Sequence, residues 1–166
     1  RPFPLIRNKT LNIAALLRKK NGEEDDELDF AMVQVPSVIP RIVELPEEKL
    51  PQDPSQAQID AALEKESQAI RAKLPPSTSL VCLCVEGRLR SSEELSALVG
   101  TWEHSSAKHL AFVIGGSYGL AERLKGESWV KLSMSPMTFP HHLLRVMLLE
   151  QIYRAYQINA GSRYHK

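Results

Sequence analysis

Residues 112–120 read FVIGGSYGL, an apolar β-type segment that runs directly into paired glycines. This pattern is typical of a buried strand that ends in a loop where a ligand can lie against bare backbone, because glycine has no side chain. A purely structural turn fits the same residues. The glycine loop (residues 115–119) lacks the Lys-Ser/Thr pair of a P-loop and departs from the G-x-G-x-x-G spacing of dinucleotide folds, so an ATPase or a dehydrogenase is poorly supported.

Strands and helices alternate on the N-terminal side of this loop. Residues 78–85 form a continuous apolar run, which is typical of a strand buried on both faces of a parallel sheet. A short strand is predicted at residues 41–45, and helices at residues 55–73 and 91–104, each beginning at a serine suited to cap it. The alternation predicts an α/β fold with a mostly parallel sheet and helices on both faces.

Further loops follow the predicted strands. The proline loop (residues 135–140) cannot be regular structure and comes directly after a predicted strand at residues 131–133, while residues 86–88 predict a tight loop. Ligands of α/β sheets bind at the carboxyl ends of strands, so these loops and the glycine loop predict one binding site. The final helix, residues 141–158, is apolar around most of its circumference, which predicts burial against its own sheet and a second subunit.

The first forty residues are the hardest to interpret. Residues 11–17 are apolar enough for a strand or a short helix. The acidic run at residues 23–29 predicts an exposed loop, since it lacks the ligand spacing of a calcium site. We therefore expect an atypical N-terminal segment, residues 1–40, followed by one domain, residues 41–166.

Composition and charge are those of a soluble globular protein: 43% of the 166 residues are hydrophobic, 25% are charged, and the formal net charge is +1. No window approaches the roughly 18 uninterrupted apolar residues of a transmembrane helix, and the start does not resemble a secretory signal, so a cytoplasmic location without a membrane partner is expected. Residues 76–166 carry 10 Lys or Arg against 7 Asp or Glu, a net charge of +3 that permits an RNA partner without requiring one.

No motif for metal binding or hydrolysis stands out. Cys82 and Cys84 should point to one face of a strand, where disulfide geometry is poor, and are predicted to be reduced core thiols. A metal site is the alternative, but no second cysteine pair exists. His141 and His142 could be a ligand pair, although adjacent helical residues diverge by about 100°, which favours a cap or core role.

The C-terminal residues permit two interpretations. Arg154 lies four residues after Glu150, a spacing that predicts an intrahelical ion pair. The tail GSRYHK, residues 161–166, could be disordered, but its cations and aromatic ring are also the chemistry that holds phosphate and stacks on a base.

Two segments, VIGGSYGL (residues 113–120) and LSMSPMTFPHHLLRVMLLEQIYRAYQINAGSRYHK (residues 132–166), resemble the ribosomal RNA large-subunit methyltransferase H family. These are small SPOUT-class enzymes that methylate N3 of a pseudouridine in the large-subunit RNA. Weaker similarity in EKESQAIRAKLPP and LCVEGRLRSSEELSALV extends the resemblance to roughly residues 42–166. The family usually opens with a strand, a V-G-K type turn and an amphipathic helix, which residues 1–40 do not show.

The resemblance implies a C-terminal trefoil knot, a homodimer, S-adenosylmethionine as the cofactor, no metal, and RNA of the assembled ribosome as the substrate. It implies direct methyl transfer that depends mainly on positioning. The segments implied to contact the cofactor contain Leu83, Gly116, Ser135, Pro136, Met137, Thr138, Phe139 and Pro140.

Three residues match the family's YRA and YHK motifs: Arg154, Tyr164 and His165. The resemblance implies that they bind the nucleotide and its phosphate from the partner's side, with His165 assisting proton removal. The alternative from another functional class is a catalytically silent SPOUT-like RNA-binding or ribosome-associated module.

Overall fold

A computed structural model describes residues 10–19 and 38–164 of the chain. The acidic run at residues 23–29 and His165 lie outside these described residues. The elements in chain order are β1 (Thr10–Lys19), β2 (Val38–Pro46), α1 (Gln56–Lys73), β3 (Thr78–Leu89), α2 (Ser92–Glu103), β4 (His109–Ile114), α3 (Glu122–Glu127), β5 (Val130–Ser133) and α4 (His141–Asn159).

The strands form one sheet in the order β2-β1-β4-β3-β5. β3 pairs in parallel with both β4 and β5, and β1 pairs antiparallel with both β2 and β4. β2, β3, β4 and β5 therefore run in one direction and β1 runs against them, which confirms the predicted α/β fold with a mostly parallel sheet. Residues 11–17, for which the sequence allowed either a strand or a helix, lie in β1, between two other strands of the same sheet.

Helices cover both faces of the sheet, as predicted. On one face α2 and α4 pack over β3, β4 and β5 in a core that contains the fully buried Trp102, Phe112 and Leu148. On the other face α1 and α3 cover β2, β3 and β4 through Ile70 and Leu124. α1, α2 and α3 are therefore the crossovers that connect successive strands running in the same direction.

The predicted helix starts are confirmed by their caps. Ser55 and Ser91 each accept a hydrogen bond from the backbone three residues on, at 3.3 and 3.1 Å. In return, the side-chain oxygens of Gln58 and Glu94 accept hydrogen bonds from the backbone N–H groups of these serines, which completes two capping boxes. Local side-chain chemistry thus determines where α1 and α2 begin.

The predicted tight loop at residues 86–88 is wrong, because β3 continues to Leu89. β5 pairs with β3 on both sides of an irregularity, at Leu83 and again at Arg88. β3 can lie this close to the backbone of β5 because Gly87 has no side chain. A Cβ at Gly87 would lie 2.6 Å from the carbonyl carbon of Leu132. The second half of β3 is therefore held by a strand that lies far along the sequence.

No helix within residues 10–19 and 38–164 is both long and apolar enough to cross a membrane. Both cysteines are free thiols, with Cys82 buried in the core and Cys84 only partly buried. Cys84 thus departs from the predicted core position.

Candidate active site

A cavity of about 360 Å³ lies beside the carboxyl ends of β4 and β5 and the middle of β3. Its walls come from residues 83–86, the glycine loop and the proline loop, with His141 and Leu144 from the start of α4. The convergence of loops at this edge of the sheet was predicted, although the first wall belongs to a continuing strand. The volume lies within the range of roughly 300–1,000 Å³ of small-molecule sites.

Most residues of the predicted cofactor set lie together in this cavity, although their binding role stays a prediction. Pro136 and Pro140 are exposed and do not line the cavity. The members that do line it are Leu83, Gly116, Ser135, Met137, Thr138 and Phe139.

The glycine loop folds into a tight turn that only glycines allow. The backbone N–H of Gly119 donates to the carbonyl of Gly116 at 3.1 Å, and Gly119 has a φ of +81°. A Cβ on Gly115 would overlap the carbonyl of Gly119. The loop therefore presents backbone groups to the cavity, as the paired glycines predicted.

The proline loop is held by short-range hydrogen bonds. The hydroxyl of Ser133 donates to the carbonyl of Ser135 at 3.1 Å, and the hydroxyl of Ser135 accepts from the backbone N–H of Met137 at 3.0 Å. The Met137 side chain is 70% exposed. These bonds shape the cavity wall around Ser135 and leave a large apolar side chain at its rim.

The cavity also contains an ion pair that sequence reasoning missed. Lys125 pairs with Glu86 across 39 residues of sequence and with Glu122 at 2.5 Å, and its side chain is only 11% exposed. The hydrogen bond from Lys125 holds the pKa of Glu86 below its ordinary value. Burial lowers the pKa of Lys125, but hydrogen bonds to Glu122 and Glu86 outweigh burial and leave that pKa raised. Both groups are therefore charged at neutral pH.

Two further residues of the cavity wall, Cys84 and His141, were not predicted to line a site. Cys84 lines the cavity, and burial together with the nearby Glu86 carboxylate raises the pKa of its thiol. His141 lies in the wall while His142 is exposed. No group of three or more His, Cys, Asp or Glu side chains in the described part of the chain could hold a metal ion.

Two of the three predicted catalytic residues, Arg154 and Tyr164, lie elsewhere, around Glu150. Arg154 donates to a Glu150 oxygen through Nη2 at 2.6 Å and Nε at 3.1 Å, which is the intrahelical pair that the spacing predicted. Tyr164 donates to the same carboxylate at 3.3 Å, and its ring centroid lies 5.0 Å from the Arg154 guanidinium carbon. Neither Arg154 nor Tyr164 lines the cavity within its own chain.

A second cavity of about 540 Å³ lies between these residues and the first. Ser133 and Met134 line both cavities. In the second, Ser92 donates to Gln151 at 2.7 Å, and Gln151 donates to Glu150 at 2.8 Å. This chain of hydrogen bonds connects the start of α2 with the cluster around Glu150.

Comparison with known proteins agrees with this geometry. The family described as "Predicted SPOUT methyltransferase" matches residues 11–165. The chain is 46% identical over 125 residues to Ribosomal RNA large subunit methyltransferase H of Clostridium novyi, an alignment that covers 75% of this chain and 79% of that protein. Proteins of the same name from Bacillus thuringiensis and Bacillus cereus are 42% identical over the same shares. The resemblance found in the sequence is therefore confirmed, and the chain belongs to the ribosomal RNA large subunit methyltransferase H family of SPOUT methyltransferases.

Proposed function

We propose that this protein is an S-adenosylmethionine-dependent methyltransferase that acts on N3 of a pseudouridine in the large-subunit RNA of the assembled ribosome. The observation that carries the proposal is the cavity of about 360 Å³ walled by two backbone-rich loops and β3, in a chain of this family. A ribosomal substrate would place the protein in the cytoplasm.

The cavity suits this cofactor chemically. The glycine and proline loops offer main-chain N–H and C=O groups, which can recognise an adenine and a methionyl group. Leu83 of β3 and Phe139 of the proline loop add apolar surface to the cavity wall. When bound, S-adenosylmethionine supplies a methyl group activated by its sulfonium. The protein then contributes mainly orientation and exclusion of water. Pro136 and Pro140, which do not line the cavity, would fix the backbone of the proline loop. The residues proposed to contact the cofactor are Leu83, Gly116, Ser135, Met137, Thr138 and Phe139.

Arg154, Tyr164 and His165 are proposed to bind the target nucleotide. Arg154 offers a planar fork suited to phosphate, and the Tyr164 ring, which is 46% exposed, can stack on a base. His165 would accept the proton from N3. Because Arg154 and Tyr164 lie away from the first cavity in their own chain, they are proposed to complete the site of a partner subunit.

A homodimer is supported by apolar side chains that the single chain leaves in solvent. Leu143 and Val146 on α4 are 48% and 61% exposed, and Met137 at the cavity rim is 70% exposed. A second copy could cover these residues. The proposed knot is supported by two observations: Leu132 pairs with β3 at both Leu83 and Arg88, and the backbone at Leu132 lies directly against Gly87.

A catalytically silent RNA-binding module is the second candidate. This candidate is favoured because Arg154 and Tyr164 bind Glu150 and do not line the first cavity. Such a module would bind ribosomal RNA without needing the cofactor.

Calorimetry with S-adenosylmethionine separates the two candidates. We expect one ligand per cavity to bind with micromolar affinity. A Gly115→Val variant, whose side chain would fill the turn, should show no heat of binding. Gly126→Ala is the control, because a Cβ at Gly126 meets no atom within 4 Å. Absence of heat from folded wild-type protein at high micromolar ligand would contradict the enzyme proposal.

The target is then identified on ribosomes from cells that lack the protein. Incubation with protein and cofactor should add one methyl group to a large-subunit RNA fragment, detected by mass spectrometry. Primer extension should stop at the modified pseudouridine, because a methyl group at N3 blocks base pairing. Methylation of free RNA but not of ribosomes would contradict the proposed substrate.

A further inference from the structure

The glycine loop is held from outside by a carboxylate. Glu47 follows β2 and lies 70 residues before Ser117 in the sequence, yet its Oε1 accepts a hydrogen bond from the Ser117 backbone N–H at 2.6 Å. A hydrogen bond between an amide and a carboxylate is stronger than one between neutral groups. The bond therefore ties the exposed tip of the loop to a segment outside it.

Glu47 also lies directly against Gly116, the residue before Ser117 in the loop. A Cβ on Gly116 would lie 2.6 Å from Oε1 of Glu47 and 2.8 Å from its carboxyl carbon. Gly116 is the residue whose carbonyl accepts the internal bond of the turn from Gly119. The turn is consequently fixed on the inside by its own backbone and on the outside by the carboxylate.

The segment that carries Glu47 is itself anchored to α1. The backbone N–H of Glu48 donates to Oε1 of Glu66 at 2.8 Å, and the Glu66 side chain is only 6% exposed. Lys65, also on α1, pairs with the Glu48 carboxylate at 2.9 Å. Glu47 therefore extends from a backbone that cannot shift freely.

The loop tip connects this anchor to the cavity. Tyr118 lines both the first cavity and a crevice that contains Glu47 and Glu66. Movement of the tip would change both surfaces together. The contacts of Glu47 thus act on the cavity wall although Glu47 does not line the cavity.

We propose that Glu47 is a positioning residue for the cofactor site, holding residues 116–117 in the shape that receives the ligand. The inference rests on the proposed function, since it assumes that S-adenosylmethionine binds in the first cavity. A loop ordered before binding costs less conformational entropy when the ligand arrives, so affinity is higher. Glu47 does not touch the ligand and takes no part in the transfer.

The test compares Glu47→Ala with Glu47→Gln in the full-length protein. Alanine removes the acceptor, and we expect it to weaken the calorimetric affinity for S-adenosylmethionine by roughly tenfold or more, as loss of a charge-assisted hydrogen bond does. Glutamine keeps an oxygen that can accept from Ser117 and should restore most of the affinity. Asp53→Ala removes an exposed carboxylate from the loop before α1 with the same change of charge, and it should leave the affinity unchanged.

Hydrogen exchange in the ligand-free protein gives a second readout. Glu47→Ala should speed exchange of the Ser117 amide, while Asp53→Ala and Glu47→Gln should leave it close to wild type. Unchanged exchange and affinity in Glu47→Ala would overturn the inference, and so would a glutamine variant as weak as the alanine variant. Absence of binding by the wild type would instead overturn the proposed function, while faster Ser117 exchange in Glu47→Ala would still show that the carboxylate holds the loop.

Discussion

At the scale of single residues, Gly87 determines how closely β3 can approach the backbone of β5. A Cβ at Gly87 would lie 2.6–2.9 Å from backbone atoms of Leu132 and Ser133, none of which is a flexible side-chain end. We therefore expect Gly87→Ala to lower the free energy of unfolding by about 1–3 kcal/mol, the usual cost of overpacking. Urea denaturation followed by circular dichroism measures this change.

Gly126→Ala is the matched control for that substitution. Gly126 lies in α3, and a Cβ there meets no atom within 4 Å. Alanine should be neutral or stabilise the protein by up to about 1 kcal/mol, because glycine costs conformational entropy in a helix. Equal effects of the two substitutions would mean that the contact with Leu132 does not constrain Gly87.

The thiols give a second prediction at this scale. Burial raises the pKa of Cys82 to about 11, and the pKa of the half-buried Cys84 is also raised. Only thiolates react with Ellman's reagent, so a raised pKa lowers the reactive fraction at neutral pH. We expect Cys84 to react slowly, and its rate to keep rising with pH beyond about 8.5, where an ordinary thiol levels off.

Cys84→Ser identifies which thiol is observed. It should abolish the slow phase in the folded protein and leave one reactive thiol after unfolding. Saturating S-adenosylmethionine should slow the reaction of Cys84, because this side chain lines the cavity. A rate that levels off below about pH 8.5 would contradict the raised pKa.

At the scale of elements, α3 is held against β3 by the pair between Lys125 and Glu86. The pKa of Glu86 is below its ordinary value of 4.5, so its stabilisation is present above that pH and is lost as the pH falls through the folded-state pKa. The Glu86 side chain is 54% exposed, which limits the effect through solvent screening. We expect Glu86→Gln to lower the free energy of unfolding near pH 7 by about 0.5–1 kcal/mol.

The difference between wild type and Glu86→Gln should shrink as the pH falls through the lowered folded-state pKa of Glu86, because the wild-type carboxylate then becomes protonated as well. Chemical denaturation at several pH values measures this convergence. Asp53→Asn, at an exposed position in the loop before α1, serves as the control and should change stability little at any of them. A constant difference across the range would show that the cost of Glu86→Gln does not arise from charge.

The elements also show what the sequence could predict. α1 and α2 begin where Ser55 and Ser91 place them, because capping depends on neighbours within three residues. The end of β3 was missed because its last residues pair with β5, more than forty positions later. The pairs of Glu86 with Lys125 and of Glu47 with Ser117 were missed for the same reason, since periodicity and spacing carry no information about contacts created by the fold.

At the scale of the whole molecule, the two halves of the proposed site are separated within one chain. The cofactor loops line the first cavity, whereas Arg154 and Tyr164 gather around Glu150. If the tail of one subunit completes the cavity of its partner, each active site of a homodimer contains parts of both chains. Mixing two inactive variants tests this arrangement directly.

Gly115→Val should lose the cofactor but keep a normal tail, and His165→Ala should keep the cofactor and lose methylation by roughly tenfold or more. Calorimetry on each variant alone checks these separate defects. After unfolding and refolding together at equal concentrations, about half of the dimers are mixed, and each has one site with an intact cavity and an intact tail. Methylation of ribosomes should then recover to about a quarter of the wild-type rate. If each tail serves its own cavity, every site in the mixture keeps one defect, so activity no higher than that of His165→Ala alone would contradict the shared site.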